Sequence, residues 1–342
     1  MRIVHVAHQQ YRKYGYTRVN WAQKLFYGLI KNDHHVQPFS DRDVAAFEAP
    51  FGIRDLGVKK SNKRLLQTVE AYQPELVIVG HCDIISNDTL EEVRRLCPGV
   101  VIVGCNNDPL FVPENDAKIR HRCDVVDAMF VSTGERELQR YAGARARLLH
   151  MPNPVDPSVE FYDASARPAA ELKHDLIFCS KSEAYTERGR IVQDIHDNLA
   201  NRIRFHTPGS FGVPGVWGRD YDLALADSAM GLNLNRQEGL HWYSSARMAQ
   251  MAGNGVLTFT DGSADFASMF PAETLVYFDS VEELKEKLLA FHHDDDMRRH
   301  WAGNCRQYFH REINNKLYAQ YIVEASMQLP FSHPYVWQEN HG

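Results

Sequence analysis

A chain of 342 residues is long enough for two domains, and 44% hydrophobic and 24% charged residues are typical of a folded globular protein. A formal net charge of −6 argues against a dedicated nucleic-acid binder, which would carry a basic face. The six cysteines form no C-x-x-C pair, the N-terminus lacks a secretory signal core, and no apolar run is long enough to span a membrane. We expect a cytoplasmic protein with at most peripheral membrane association, no zinc site and no disulfide framework.

The first 150 residues alternate between short apolar runs and longer amphipathic stretches. This alternation predicts strands at residues 3–7, 35–39, 75–80, 100–104, 128–131 and 147–150. It predicts helices at residues 19–31, 62–72 and 88–96. Nearly continuous apolar strands separated by helices indicate a parallel sheet covered on both faces. Such a sheet binds ligands beyond the carboxyl ends of its strands, in this case at the loops over residues 8–16, 81–86 and 105–113.

Three prolines within residues 151–157 interrupt this pattern and predict a domain boundary. A second alternation then predicts strands at residues 175–179, 202–206, 230–234 and 256–259, and helices at residues 187–199, 244–251 and 281–291. The helical stretch over residues 297–327 leaves open a return of the chain onto the first domain. The sequence thus predicts an α/β protein with Rossmann-like domains at residues 1–151 and 152–325, an inter-domain cleft and a tail over residues 326–342.

The most informative stretch covers residues 221–261, where a strand, a polar loop, a helix and a glycine turn follow one another. Asn235 and Arg236 follow the strand, where an α/β sheet presents its ligand contacts. Ser244 and Ser245 are candidate caps of the next helix, whose positive end favours phosphate. Arginine side chains also bind phosphate through paired N–H groups, which makes Arg188, Arg236 and Arg247 the phosphate candidates.

This stretch resembles the donor-binding half of GT-B glycosyltransferases, particularly the CgeB-like group with its R-x-F-E-x-x-A-x-G signature. Arg247, Gln250 and Gly255 match its arginine, glutamate and final glycine. The resemblance implies the GT-B fold, a nucleotide-sugar donor, no obligatory metal and no cofactor. Gln250 replaces a glutamate expected to hold the nucleotide ribose, and an amide can bond to a hydroxyl without adding charge. Position and resemblance together name these donor-binding candidates: Arg188, Asn235, Arg236, Tyr243, Arg247, Gln250, Gly255 and Asp261.

Three residues are candidates for the catalytic group. Asp108 lies in a Cys-Asn-Asn-Asp-Pro loop after a strand, which resembles the D-D-P or N-D-P of CgeB-like relatives. Its carboxylate is suited to accept a proton from an acceptor hydroxyl or to orient the sugar. His81 and Asp83 follow another strand and are the next candidates. The alternative for all three is turn or cap chemistry, and Asp261 has the same alternative.

The polar loop after the first strand supplies the acceptor-binding candidates His8, Tyr11, Arg12 and Tyr14, because aromatic faces suit sugars and cations suit anionic groups. A solvated loop would have the same composition. The run Asp41-Arg-Asp43 matches the D-x-D of metal-dependent transferases, but it follows only the second predicted strand, so no metal is expected. The three acids at residues 294–296 are expected to cap a helix.

Residues and resemblance together predict transfer of a sugar from a nucleotide-sugar to a hydroxyl of a glycan or glycolipid. Relatives of this type imply assembly of a bacterial surface polysaccharide or lipopolysaccharide. Two alternatives remain open. A GT-B-like nucleotide-sugar epimerase would need no acceptor, and a non-catalytic nucleotide-sugar-binding protein would bind donor without turnover.

Overall fold

The computed structural model describes residues 1–13, 20–80, 83–180 and 186–338. It divides into two compact units: Met1–Met151 with Asn315–Gly342, and Pro152–Asn314. The first unit contains a six-stranded sheet and the second a five-stranded sheet, and every strand pair in both is parallel. Helices connect the strands in each unit. The predicted α/β class with two Rossmann-like sheets is confirmed.

The first sheet has the strand order β2-β1-β3-β4-β5-β6. Its strands are β1 (Arg2–Val6), β2 (His35–Phe39), β3 (Leu76–Gly80), β4 (Val101–Asn106), β5 (Ala128–Val131) and β6 (Arg147–His150). The central strand β3 is buried along its whole length, as its apolar run predicts. Strand β2 lies at the edge, where Pro38 lacks a backbone N–H without cost to a neighbouring strand.

The helices of the first unit up to residue 151 are α1 (Trp21–Lys31), α2 (Asp41–Phe47), α3 (Val58–Tyr72), α4 (Asn87–Leu96), α5 (Pro113–Cys123) and α6 (Glu135–Leu138). Asn20 and Gln23 form a capping box at the start of α1. The sequence did not predict α2, α5 or α6. Two of these are very short, and the mostly charged α5 has a faint apolar periodicity because it buries only Asn115, Ile119 and Cys123.

The second sheet has the order β11-β10-β9-β7-β8. Its strands are β7 (His174–Ile177), β8 (Phe205–His206), β9 (Ser228–Asn233), β10 (Leu257–Asp261) and β11 (Val276–Phe278). The helices are α7 (Glu187–Leu199), α8 (Arg219–Ala226), α9 (Ala246–Gly253), α10 (Val281–His293) and α11 (Asp295–Glu312). Strand β11 and helix α8 were not predicted. The carboxylate of Asp294 accepts the Met297 N–H at the start of α11, which confirms the predicted cap.

The last helix, α12 (Asn315–Met327), belongs to the first unit, so the helical stretch predicted over residues 297–327 is two helices in different units. A Cβ on Gly28 would collide with the Asn315 carbonyl, so glycine allows α1 and α12 to approach closely. The Trp21 indole N–H also donates to the Tyr318 hydroxyl at 2.6 Å. The second unit therefore ends at Asn314, whereas the predicted domain extends to residue 325. In the described parts of the chain, no helix combines the length and apolar character that a membrane crossing requires.

Candidate functional site

Two asparagines organise the loop that follows β9. The Asn233 amide donates to the Thr260 hydroxyl of the neighbouring strand at 3.1 Å. The backbone N–H and side-chain amide of Asn235 donate to the two carboxylate oxygens of Glu238, at 2.6 and 3.0 Å. The same amide donates to the Tyr243 carbonyl at 3.3 Å. Asn235 thus lies at the strand end as predicted, and its NH₂ group holds Glu238 and the loop in place.

Two of the predicted phosphate-binding arginines lie over one aromatic ring. The guanidinium carbons of Arg188 and Arg247 are 5.8 and 5.3 Å from the centroid of Phe178, which follows β7 directly. Cations over a ring face are attracted by its quadrupole. Arg247 also donates to the Leu234 carbonyl at 3.0 Å. These contacts hold both arginines beside the carboxyl ends of β7 and β9.

The charges of Arg236 and Arg247 act on Arg188, and we call these three residues the arginine cluster. The pKa of Arg188 is lowered to about 10, mainly by burial and also by the positive charges of Arg247 and Arg236. Burial also lowers the pKa of Arg247. Like charges held together raise each other's free energy, and a bound anion removes that cost. The cluster therefore has the electrostatics of an anion site.

Glu238 is an acid of this site that the sequence analysis missed. Its pKa is raised to about 6: burial is the largest cause, the hydrogen bonds from Asn235 oppose the shift, and the charges of Asp261 and Glu187 add to it. Its negative charge in turn raises the pKa of Arg188 and Arg247. One signal was available: Glu238 is the only acid in the loop between β9 and α9.

The amino end of α9 presents polar atoms beside the arginine cluster. Ser245 occupies the N-cap position, as predicted, but its side chain makes no cap hydrogen bond to the helix. The buried side-chain oxygens of Ser245 and Asn235 have no hydrogen-bond partner among the residues that the structure describes. Buried polar atoms without partners are rare in folded proteins. A helix amino end with its amides uncapped by a side chain attracts an anion.

The other two signature positions have different surroundings. The Gln250 side-chain oxygen accepts a hydrogen bond from the Tyr221 hydroxyl at 3.3 Å. Gly255 has a φ of +73°, and a Cβ there would lie 2.6 Å from a carboxylate oxygen of Asp163. Glycine at this position is therefore required by the turn and by close packing. The structure gives Gly255 a backbone role within the scaffold.

Asp261 lies at the end of β10, where its carboxylate accepts the Ser263 backbone N–H at 2.8 Å and the Ser263 hydroxyl. It thus caps a short 3₁₀ helix, which is the turn alternative of the sequence analysis. Its charge still acts on Glu238. Tyr243, another donor candidate, is buried, and its hydroxyl acts on the pKa of both Arg188 and Arg247.

The first unit contains a cavity of about 210 Å³ beside β3, β4 and α5, which we call the first-unit cavity. Asp83 and Asp108, two predicted catalytic candidates, both line it. The other lining residues are Arg42, Val79, Ile85, Ser86, Cys105, Asn106, Lys118, His121, Arg122 and Met129. Two loops predicted from strand ends thus open onto one cavity.

The two cavity aspartates have different partners. Arg42 donates to both carboxylate oxygens of Asp83, each at 3.1 Å, in a bidentate pair. The backbone N–H of Asp108 donates to the side chain of Asn106 at 2.7 Å, which is the predicted turn. The third candidate, His81, lies outside the described residues.

The loop that carries the predicted acceptor-binding residues is held by Asp43. Its carboxylate accepts the Tyr11 backbone N–H at 2.8 Å and lies 3.7 Å from the His8 ring nitrogen. Arg12 donates to the Gly52 carbonyl at 3.3 Å. Tyr14, the fourth candidate, lies outside the described residues. The D-x-D run thus supplies an anchor for this loop, a role that the sequence analysis did not predict.

A family model described as glycosyl transferase-like matches residues 188–324, and no curated protein sequence matches the chain. Among solved structures, sucrose-phosphate synthase from Thermosynechococcus elongatus is similar with a TM-score of 0.62 and 11% identity, over 96% of this chain and 98% of the other. HepE from Anabaena in complex with UDP-glucose is similar with a TM-score of 0.59 and 11% identity, over 96% of this chain and 100% of the other. AviGT4, a glycosyltransferase involved in avilamycin A biosynthesis, has a TM-score of 0.58 and 14% identity, over 96% of this chain and 98% of the other. These likenesses extend over nearly the whole chain and show its fold.

Proposed function

Starting from a chain that has the GT-B fold and matches a glycosyl transferase-like family over residues 188–324, we propose that it transfers a sugar from a nucleotide-sugar to an acceptor hydroxyl. The acceptor is a glycan or a glycolipid in the assembly of a bacterial surface polysaccharide. The resemblance to CgeB-like proteins supports this acceptor class. HepE was crystallised with UDP-glucose, which supports a nucleotide-sugar as the donor class.

The observation that carries the proposal is the arginine cluster at the carboxyl end of β9. Arg188 and Arg247 are held over Phe178 before any ligand arrives, so little reorganisation is needed when a diphosphate binds. Negative charge develops on the diphosphate as the sugar bond breaks. Fixed cations in a partly buried site stabilise that charge without a metal.

The polar groups beside the arginine cluster suit the phosphate oxygens and the ribose of a nucleotide-sugar. The uncapped amino end of α9 and the Ser245 hydroxyl supply donors for phosphate oxygens. Gln250 offers its amide to a ribose hydroxyl, while Tyr221 holds the amide oxygen. In this assignment Asn235, Asp261 and Gly255 shape the loop and the turns around the donor.

On the acceptor side, Asp108 is the proposed catalytic base. It lines the first-unit cavity, where its backbone N–H donates to the side chain of Asn106. Asp83 is a weaker candidate because Arg42 binds both of its carboxylate oxygens.

A melting-temperature panel with nucleotides and nucleotide-sugars tests the donor class. A ligand that binds only the folded protein stabilises it by about 2.7 kcal/mol at a hundred times its dissociation constant. We expect a nucleotide-sugar and its nucleoside diphosphate to raise the melting temperature, and the free sugar to leave it unchanged. No shift with any nucleotide would refute the donor site.

Product analysis with the donor found in that panel tests the reaction. We expect a glycosylated product only when a glycan or glycolipid acceptor is present. Conversion of the donor sugar without an acceptor would select an epimerase. Binding without turnover across a broad acceptor set would select a non-catalytic binding protein.

A further inference from the structure

The segment between α2 and α3 of the first unit exposes four large apolar side chains within ten residues. Phe51 is 98% exposed, Phe47 63%, Leu56 61% and Ile53 51%. Single exposed apolar residues are ordinary on protein surfaces, but a cluster of this kind marks an interaction site. The donor site and the first-unit cavity use none of these residues.

Backbone contacts hold the segment in this shape. A Cβ on Gly57 would collide with the Ala45 carbonyl, so the segment packs directly against α2. Arg12 donates to the Gly52 carbonyl at 3.3 Å, and Lys60 donates to the Glu48 carbonyl at 3.0 Å. The apolar side chains therefore project from a supported backbone.

The same segment is cationic, although the chain is anionic overall. Residues 47–64 contain five cationic and two acidic side chains, a surplus of three positive charges in a chain of net charge −6. Arg64 binds the Glu48 carboxylate at 2.6 Å, and Arg54 binds the Asp55 carboxylate at 3.3 Å. The surplus is thus carried by three exposed lysines at the start of α3: Lys59, Lys60 and Lys63.

We propose that residues 47–64 form a docking surface for an anionic lipid bilayer. Phe47, Phe51, Ile53 and Leu56 enter the boundary between headgroups and acyl chains, and the lysines contact lipid phosphates. Long lysine stems allow the ammonium groups to stay at the headgroup level. A second copy of the chain fits less well, because a two-fold contact would bring two cationic surfaces together. The inference goes beyond the proposed function and requires no donor.

Vesicle co-sedimentation of the whole protein tests this surface. Vesicles of phosphatidylcholine alone are compared with vesicles that contain phosphatidylglycerol, at low and high salt. We expect binding to the anionic vesicles only, and weaker binding at high salt because the contact is electrostatic in part. The variant Phe51→Ser/Ile53→Ser should lower the partition coefficient at least about tenfold. The variant Lys59→Glu/Lys63→Glu should lower it at least about 25-fold, from about fivefold for each lysine lost.

Matched controls lie in the second unit. Phe161→Ser removes an aromatic side chain that is 52% exposed, and Arg202→Glu reverses the charge of an exposed arginine. Both should bind vesicles as the wild type does, and all variants should keep its melting temperature because the residues are exposed. The proposal would be overturned if the wild type did not bind anionic vesicles. It would also be overturned if Phe51→Ser/Ile53→Ser and Lys59→Glu/Lys63→Glu bound them as well as the wild type does. Dimerisation that light scattering detects without lipid and that Phe51→Ser/Ile53→Ser abolishes would overturn it in favour of self-docking. Neither result changes the outcome of the melting-temperature panel with nucleotides. Failure of the lipid docking surface can therefore be distinguished from failure of the donor site.

Discussion

The arginine cluster of the second unit and the first-unit cavity both lie near the carboxyl ends of parallel strands. The arginines in the two regions have different charged neighbours. In the cluster, burial and the charges of Arg247 and Arg236 lower the pKa of Arg188, burial lowers that of Arg247, and the charge of Glu238 opposes both shifts. In the cavity, Arg42 is matched to Asp83 in a bidentate pair. Arg188 thus lies within the field of two other cations, whereas Arg42 is held by an acid.

This difference suits the cluster to binding an anion and the cavity to positioning a carboxylate. Cations held close together raise one another's free energy in the unliganded protein, and a bound anion lowers it again. A matched ion pair attracts little further charge, but it fixes the walls of a cavity in which a carboxylate can work. The comparison is consistent with the proposal that the second unit binds the diphosphate and the first carries out proton transfer.

The largest expected effect comes from Asp108→Asn, which removes the proposed base and keeps the side-chain shape. We expect kcat to fall about 10²–10⁴-fold, because general-base catalysis contributes about that much, with donor affinity unchanged. Asp83→Asn is the matched control in the same cavity and should lower kcat far less. If Asp83→Asn proves the more damaging change, the catalytic assignment moves to Asp83 and the comparison fails. Steady-state kinetics with a fixed acceptor measures both.

A large stability effect is expected from Gly255→Ala. The substitution forces a side chain into a left-handed backbone and against Asp163, and it should cost about 2–4 kcal/mol. Gly212→Ala is the matched control, since Gly212 has a φ of +75° but open space around it. It should cost only about 1 kcal/mol. Denaturant unfolding gives both values, and equal losses would remove close packing as the reason for Gly255.

A smaller effect is expected from pH, through Glu238. Protonation below about pH 6 removes the acid that opposes the arginine cluster, so affinity for a nucleotide-sugar should rise about three- to tenfold from pH 7 to pH 5. Because the folded-state pKa is raised from 4.5, the unliganded protein gains about 2 kcal/mol below pH 4.5 and loses it as the pH rises through 6. Glu238→Gln should abolish both trends in binding and unfolding titrations. A variant that keeps the wild-type pH profile would show that another group is responsible.

The sequence predicted the parts of the site that follow from strand ends. Apolar runs mark where strands end, so Asn235 and Asp108 could be placed just beyond the carboxyl edge of a sheet. The predicted helix after the loop placed Arg247 near the same edge. The pair between Arg42 and Asp83 joins residues 41 positions apart, and no local pattern indicates that contact. The raised pKa of Glu238 depends on burial, which follows from packing of the whole loop. The return of α12 to the first unit also depends on long-range packing, in which Gly28 removes the steric barrier.

The most direct test of the arginine cluster is calorimetric titration of the identified nucleotide-sugar into wild type, Arg247→Ala and Arg202→Ala. Arg202 is an exposed arginine of the same unit and controls for the loss of one positive charge. We expect Arg247→Ala to weaken donor binding at least about tenfold, because charge-assisted hydrogen bonds to phosphate are lost, and Arg202→Ala to bind as wild type does. Equal affinity of Arg247→Ala and wild type would contradict the account.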